Sequence, residues 1–310
     1  MELRSLDDLL VLYIKERDPS KATLRSFRPV LELFKRETQC NQISEVTHEV
    51  VLQWKKLLRG RSAEATVNTY LRTLRTLRTL FNLAERRNLL NTVNPFKDIS
   101  YVPEYTKLKH TADHVEIINL LGMIQQFPDD HKPSWFWEAL LKVLYYTGMR
   151  RRQLVTLQWG DLDFKRQRIL LRAEGSKTRR EWHIPMADEI TLPLLTLKAR
   201  VLERLEVTQD NAIRSQQVFN ITLFNPTYKG KQMTSEQVTG YFKRVSKRYQ
   251  IKLSPHRFRH TFATQAANTS GQNLKHLQNM LGHTSIKTTL GYVQSDTDSM
   301  RQMMREIRSL

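Results

Sequence analysis

Apolar residues recur every three or four positions along most of this 310-residue chain, a period that commits it to amphipathic helices packing through one stripe. The clearest stripe lies between residues 63 and 90, where Tyr70, Leu74, Leu77, Phe81 and Ala84 alternate steps of four and three. Ser5 followed by Asp8 reads as a capping box ahead of Leu9, Leu10 and Val11. A second helix is expected from Ser20 to Glu37 on Leu24, Phe27, Leu31 and Phe34, with Pro29 kinking it or shifting its start. Thr47 is placed to cap a third, which carries Val50, Val51, Trp54 and Leu58.

The helical period disappears from Asn91 to about Lys109, a stretch with Pro95 and Pro103 that reads as an interdomain linker. Helical patterns resume at about 112–126 and 134–146. Two β-like runs, Arg168–Arg172 and Glu181–Pro185, then flank a polar, Gly-containing tip, which predicts a hairpin. Further helices are expected at about 187–206, 235–249, 255–268, 273–281 and 285–293. A last one, from about Thr297, carries Met300, Met303, Met304 and Ile307. The expected fold is mainly α with a small antiparallel β-sheet, in two domains.

Charge narrows the partners. The chain has 50 Lys and Arg against 31 Asp and Glu, a formal net charge of +19 spread over both parts, which points to a polyanion and first to nucleic acid. Within the tandem Leu71-Arg-Thr-Leu-Arg-Thr-Leu-Arg-Thr-Leu80, each arginine steps roughly 60° round the helix from the one before, so Arg72, Arg75 and Arg78 share a broad face. That face is either solvated or a set of phosphate contacts. The single cysteine, Cys40, excludes an intramolecular disulfide framework and a Cys-rich zinc site. No apolar run approaches the ~18 residues that span a bilayer, and the start at Met1 lacks a signal-peptide pattern. A soluble, cytoplasmic protein is expected.

The chemistry-bearing residues fall in three segments. No phosphate-binding Gly-rich loop and no carboxylate cluster of the metal-dependent kind occurs; Asp161 and Asp163 stand alone. Instead, Tyr146–Leu154 breaks one helix at Gly148 and starts another beside three arginines, an anion-binding arrangement. In Ser254–Thr264, Pro255 opens a helix that puts His256 and Arg259 three apart on one face. Leu281–Tyr292 is a turn and a short helix ending in tyrosine. Each segment alone has an ordinary structural explanation.

Together, Thr147-Gly-Met-Arg150, His256-x-x-Arg259, Leu281-Gly-His283 and Tyr292 nine residues later resemble the tyrosine recombinase (phage integrase) family. The resemblance covers the second domain and extends more weakly to the first, through Ala65-Thr-Val-Asn-Thr-Tyr70 and Asn94-Pro-Phe96. It is to the simple two-domain members, Xer-like recombinases and mobile-element integrases, with no room before the first domain for an arm-binding domain. It implies a helical core-binding (SAM-like) domain over 1–97, a linker over 98–111 and a catalytic domain over 112–293. Residues 294–310 become a tail helix docking on a neighbouring protomer, or packing on its own domain.

The resemblance assigns Tyr292 as the nucleophile, with Arg150, Lys177, His256, Arg259 and His283 as the other catalytic groups. Arg151 and Arg257 join Arg72, Arg75 and Arg78 as candidate DNA contacts. Where the family often carries Glu, this chain has Gln153, which keeps the length and one acceptor oxygen. The implied reaction needs no cofactor and no metal. Two guanidiniums stabilise the extra charge of a phosphorane, and His256 is the candidate base for a phenol that otherwise titrates at about 10. Lys177 is the candidate general acid for the leaving 5′ oxygen. The implied partner is a double-stranded recombination site, held by four protomers on two sites as a clamp around the duplex, with accessory DNA-bending or directionality proteins. The protein in free solution is expected to be a monomer or weakly associated. A type IB topoisomerase and an inactive DNA-binding paralogue remain alternatives.

Overall fold

The computed structural model describes residues 5–60, 65–90, 92–99, 114–175, 180–269 and 273–293. The chain divides into two compact units, Met1–Lys107 and Leu108–Leu310.

The first unit contains α1 (Leu6–Arg17), α2 (Lys21–Thr38), α3 (His48–Gly60) and α4 (Ala65–Arg86). The expected capping box closes: Asp8 N–H donates to Ser5 Oγ at 3.0 Å, and Ser5 N–H donates to Asp8 Oδ2 at 3.1 Å. Ser20 accepts from Thr23 N–H at 3.2 Å, so α2 starts where its cap dictates, with Pro29 inside it. Pro29 is exposed, on the side where water can reach the carbonyl that its missing N–H leaves unpaired. From α4, Leu74, Leu77, Phe81 and Ala84 are buried; the side chain of Tyr70 lies outside the described residues. Phe34 meets Trp54 edge-on at 4.8 Å, and Phe81 meets Phe96 at 4.9 Å. The helix ends short of Leu90 because Asn88 turns left-handed (φ 53°) and Leu89 N–H folds back onto Ala84 O at 2.9 Å.

Phe96 enters this core through a polar turn. Asn94 Oδ1 accepts from Phe96 N–H at 2.9 Å, and Asn94 Nδ2 donates to Asn82 Oδ1 at 2.7 Å. Arg78 clamps the same turn, its Nε donating to Phe96 O at 2.8 Å and its Nη2 to Ile99 O at 2.9 Å. The three arginines of the tandem therefore divide: Arg72 and Arg75 are exposed, whereas Arg78 is half-buried and bound to backbone.

In the second unit, α5 (His114–Gln126) leads to α6 (Ser134–Thr147) and the short α7 (Arg151–Thr156). Helix α6 buries Phe136, Trp137, Leu140, Leu141, Val143 and Leu144, as a helix packed on several sides must. It packs against α5, α8 (Asp188–Arg204) and α11 (Pro255–Thr269). Three antiparallel strands, β1 (Leu162–Asp163), β2 (Arg168–Leu171) and β3 (Trp182–Pro185), lie in sequence order. Leu162 pairs with Ile169, and Ile169 with Ile184. The fold is thus mainly helical with a small antiparallel sheet. The hairpin and its two long strands match the sequence pattern; β1, at two residues, is too short to leave one. Asp161 is buried, caps Gln158 N–H at 2.9 Å and receives Arg172 Nε at 2.8 Å, a structural use.

The remaining helices are α9 (Asp210–Ile213), α10 (Ser235–Tyr249), α12 (Leu274–Leu281) and α13 (Ile286–Leu290). Among the described residues no group of His, Cys, Asp or Glu is arranged to hold a metal ion, and no helix is long and apolar enough to cross a membrane.

Candidate active site

Three glycines bring the distant segments together. Helix α6 stops at Gly148 (φ 58°), where a Cβ would stand 2.3 Å from the Phe262 ring of α11. That contact lays the Arg150 segment against the His256–Arg259 helix. Arg150 then occupies the N-cap of α7, and its N–H donates to Gln153 Oε1 at 2.8 Å. Gln153 is buried and keeps the positioning bond, but its Nε2 is buried without an acceptor among the described residues. Gly175 packs on α7, since a Cβ there would meet Gln153 Cα at 2.8 Å; Lys177, just beyond, lies outside the described residues. At the third, Gly282 (φ 62°) ends α12 under the Trp182 ring, 2.3 Å from where a Cβ would sit. Trp182 Nε1 also donates to Met280 O at 3.2 Å, tying β3 to the turn that presents His283.

Arg259 is the hub. It is 4% exposed, and its Nη1 donates to Gly148 O at 2.9 Å while Nη2 donates to Leu281 O at 2.8 Å. Nη2 also meets His283 Nε2 at 3.0 Å. An arginine has only donors, so His283 Nε2 accepts; its proton is then on Nδ1, which donates to Thr289 Oγ1 at 3.0 Å. Tyr292 lies close enough to the guanidiniums of Arg259 and Arg150 to act on both electrostatically. Burial pushes the Arg259 pKa down to about 10, with the charge of Arg150 adding to the effect and Tyr292 opposing it. Burial likewise lowers Arg150, whose Nη1 is buried with no hydrogen-bond partner among the described residues. Both guanidiniums stay charged at neutral pH, and their mutual repulsion favours any anion placed between them.

Tyr292 is 5% exposed. Glycine at 291 ends α13, and Tyr292 N–H turns back onto Thr289 O at 2.9 Å, so the phenol leaves the helix and folds inward. Its ring stacks on His283 (5.9 Å between centroids, 7° between planes) and packs against His260 at 5.1 Å. His256 is exposed and reaches this group through His260, with Nε2 to Nε2 at 2.7 Å. The fold therefore gathers Arg150, Arg259, His283 and Tyr292 around one point, and attaches His256 through a second histidine. His260 and Thr289 did not stand out in the sequence, although His260 follows His256 by one helical turn and shares its face. Arg151 is exposed and hydrogen-bonds Thr239 Oγ1; Arg257 is half-buried and donates to Lys252 O. Residues 294–310 lie outside the described residues.

Comparison with known proteins identifies the family. The phage integrase family model matches residues 113–299. A protein of Pseudomonas syringae assigned as a XerC tyrosine recombinase is 30% identical, over 99% of this chain and 65% of its own. Its counterpart in Pseudomonas aeruginosa is 29% identical over 94% and 69%. The present chain thus spans about two thirds of their length. Among solved structures, the Tn1549 transposon integrase in complex with transposon right end DNA superposes with a TM-score of 0.73 at 23% identity, covering 98% of this chain and 99% of that one. A lambda integrase dimer bound to a core site gives 0.67 at 18% identity, over 93% and 77%. Since the matched stretch takes in both guanidiniums and the tyrosine they surround, the chain belongs to the phage integrase family, the tyrosine site-specific recombinases.

Proposed function

We propose that this chain cuts and rejoins DNA at a specific site through a covalent 3′-phosphotyrosyl intermediate on Tyr292. In the cleavage step the Tyr292 oxygen bonds to the scissile phosphorus as the bond to the 5′ oxygen breaks. The phenol proton passes to His256, and Lys177 supplies a proton to the leaving 5′ oxygen. The phosphotyrosyl ester conserves the bond energy, so a second 5′ hydroxyl reverses the step without ATP. Arg150 and Arg259 hold the nonbridging oxygens; His283, as acceptor from Nη2, orients Arg259.

The observation that carries this reading is a buried phenol stacked on the imidazole that Arg259 holds, beside an Arg150 Nη1 that has no partner among the described residues. A buried cationic donor left open is costly unless an anion completes it. DNA is the partner. The candidate contacts are the exposed Arg72 and Arg75 on the first unit and, separately, Arg151 and Arg257 near the catalytic segments of the second.

The fuller assignment has residues 1–97 as a core-binding domain, 98–111 as linker, 112–293 as catalytic domain and 294–310 as a tail exchanged between protomers. Four protomers on two sites would exchange strands through a Holliday junction, in the cytoplasm, as the integrase or excisionase of a mobile element. The likeness to the Tn1549 integrase supports the mobile-element role. The XerC relatives favour a second role, resolving chromosome or plasmid dimers.

A nicked suicide duplex tests the chemistry. Wild-type protein should form a covalent adduct, and Tyr292→Phe should form none while binding the same site. Absence of any wild-type adduct on DNA recovered from cells refutes the reading. Sequencing the trapped DNA separates the two roles, element ends in one case and a chromosomal or plasmid site in the other.

A further inference from the structure

A second imidazole lies between the candidate base and the nucleophile. His260 is buried one turn after His256 on α11; the two rings meet at right angles, with centroids 4.1 Å apart. Their Nε2 atoms are 2.7 Å apart. Two nitrogens at that distance hold one proton between them, because two N–H groups facing each other would repel and two bare lone pairs would not approach. On its other side His260 packs against the Tyr292 ring at 5.1 Å.

That shared proton has two arrangements, with opposite consequences for His256. When His256 donates its Nε2–H to His260, its Nδ1 is bare and able to take a proton. When His260 donates instead, neutral His256 must carry its proton on Nδ1 and acts as a donor. We propose that His260 is a positioning residue for the strand-cleavage reaction: it sets the tautomer of His256 through the shared Nε2 proton and so makes His256 competent as a base.

This rests on the role proposed for His256 above. In cleavage, the Tyr292 oxygen forms its bond to phosphorus as the bond to the 5′ oxygen breaks and that oxygen takes a proton from Lys177; the phenol proton goes to His256 Nδ1, and the resulting positive charge is shared across the Nε2–H···Nε2 bond. Such charge-assisted bonds are roughly twice as strong as neutral ones. In rejoining, the same proton returns to the phenol. Among the described residues, the titratable and charged groups shown to act on the pair and the phenol are Arg259 on α11, Tyr292 after α13, His283 in the turn before it and Arg150 ahead of α7. Three of these are donors or cations that also act on Tyr292, so the pair is the group in the cluster suited to accept a proton.

The test uses full-length protein and single-turnover adduct formation on a suicide duplex across pH 5–9. His260→Phe keeps an aromatic ring against Tyr292 and removes the nitrogen. It should slow cleavage by about 10²-fold, the usual scale for one acid–base device, leave site binding within about 2-fold, and displace the rising limb of the pH–rate profile. His260→Gln, whose Oε1 can accept from His256 Nε2, should recover part of the rate. In His256→Ala the further change His260→Phe should add almost nothing, as expected for groups acting as one unit. An equal loss at every pH, no rescue by Gln, or an additive double variant would overturn the proposal while wild-type adduct formation leaves the Tyr292 chemistry standing. For the case where His260→Phe folds poorly, ¹⁵N-imidazole spectra of the wild type give a separate answer. Two rings titrating as a linked pair support the proposal, and two independent single titrations overturn it.

Discussion

Adding one methyl group at Gly282 should separate two costs that the structure stacks at a single point. The residue is left-handed, with φ at 62°, and the ideal Cβ would lie 2.3 Å from Trp182 Cη2 and 2.4 Å from Cζ2. For Gly282→Ala the backbone contribution is about 1–2 kcal/mol, the usual penalty for a Cβ in that region. Displacing the indole adds about 1–3 kcal/mol, the usual range for overpacking. The sum, about 2–5 kcal/mol, corresponds to a fall of roughly 5–15 °C in the melting temperature of a unit of this size. Calorimetry of a double-mutant cycle with Trp182→Phe resolves the parts. Phenylalanine withdraws the colliding atoms but loses the Nε1 bond to Met280 O, itself worth about 1 kcal/mol. The two substitutions should therefore couple favourably by at least about 1 kcal/mol. Because this turn also presents His283 and the Leu281 carbonyl to Arg259, adduct formation should fall in Gly282→Ala and partly return in the double variant. Strictly additive stabilities would refute the reasoning, as would a Gly282→Ala protein that melts with the wild type.

Arg259→Lys should reduce adduct formation by roughly 10²-fold or more, because one ammonium cannot span Gly148 O, Leu281 O and His283 Nε2 as the planar fork does; activity within threefold of wild type would count against the hub. Arg78→Ala should lower the stability of the first unit by about 1–3 kcal/mol, through the carbonyls it leaves unbonded. Replacing Arg72 and Arg75, both exposed, should cost less stability than Arg78→Ala and flatten the salt dependence of DNA binding by about 0.9 log units per lost contact. His131, buried between Tyr241 Oη at 2.8 Å and Tyr249 Oη at 3.0 Å, is held below its ordinary value of 6.5 by burial, with Asp130 opposing. Its contribution is then fully present above pH 6.5 and is lost as pH falls toward its folded pKa. Urea unfolding should show that loss below pH 6.5, and His131→Asn should remove most of it.

Legibility followed how locally each feature is determined. Ser5 with Asp8 and Ser20 with Thr23 are contacts within one turn of chain, and the helices start where those caps stand. The pattern over 235–249 coincides with α10, whose Thr234 cap accepts from Gln237 N–H. The ends of α4 and α13 were less legible, since they are set by a left-handed Asn88 and by Gly291 acting with the turn to Thr289. Arg78 was grouped with Arg72 and Arg75 because all three share a helix face; only the position of the 94–99 turn distinguishes it. Pro29 could have shifted a helix start, and the Ser20 cap prevented that.

The sequence alone determined the helical class, the hairpin and the chemical types in the three charged segments, because caps, periodicity and residue chemistry act over a few positions. Tertiary structure decided which of those groups meet. The placement of Arg259 between Gly148, Leu281 and His283, the tautomer this imposes on His283, and His260 standing between His256 and Tyr292 all depend on bonds between residues far apart in the chain or on how one helix face is aimed. No local rule contains that information, because a side chain's partner across space is set by how α6, α11 and the turn after α12 pack, and that packing is a property of the whole unit.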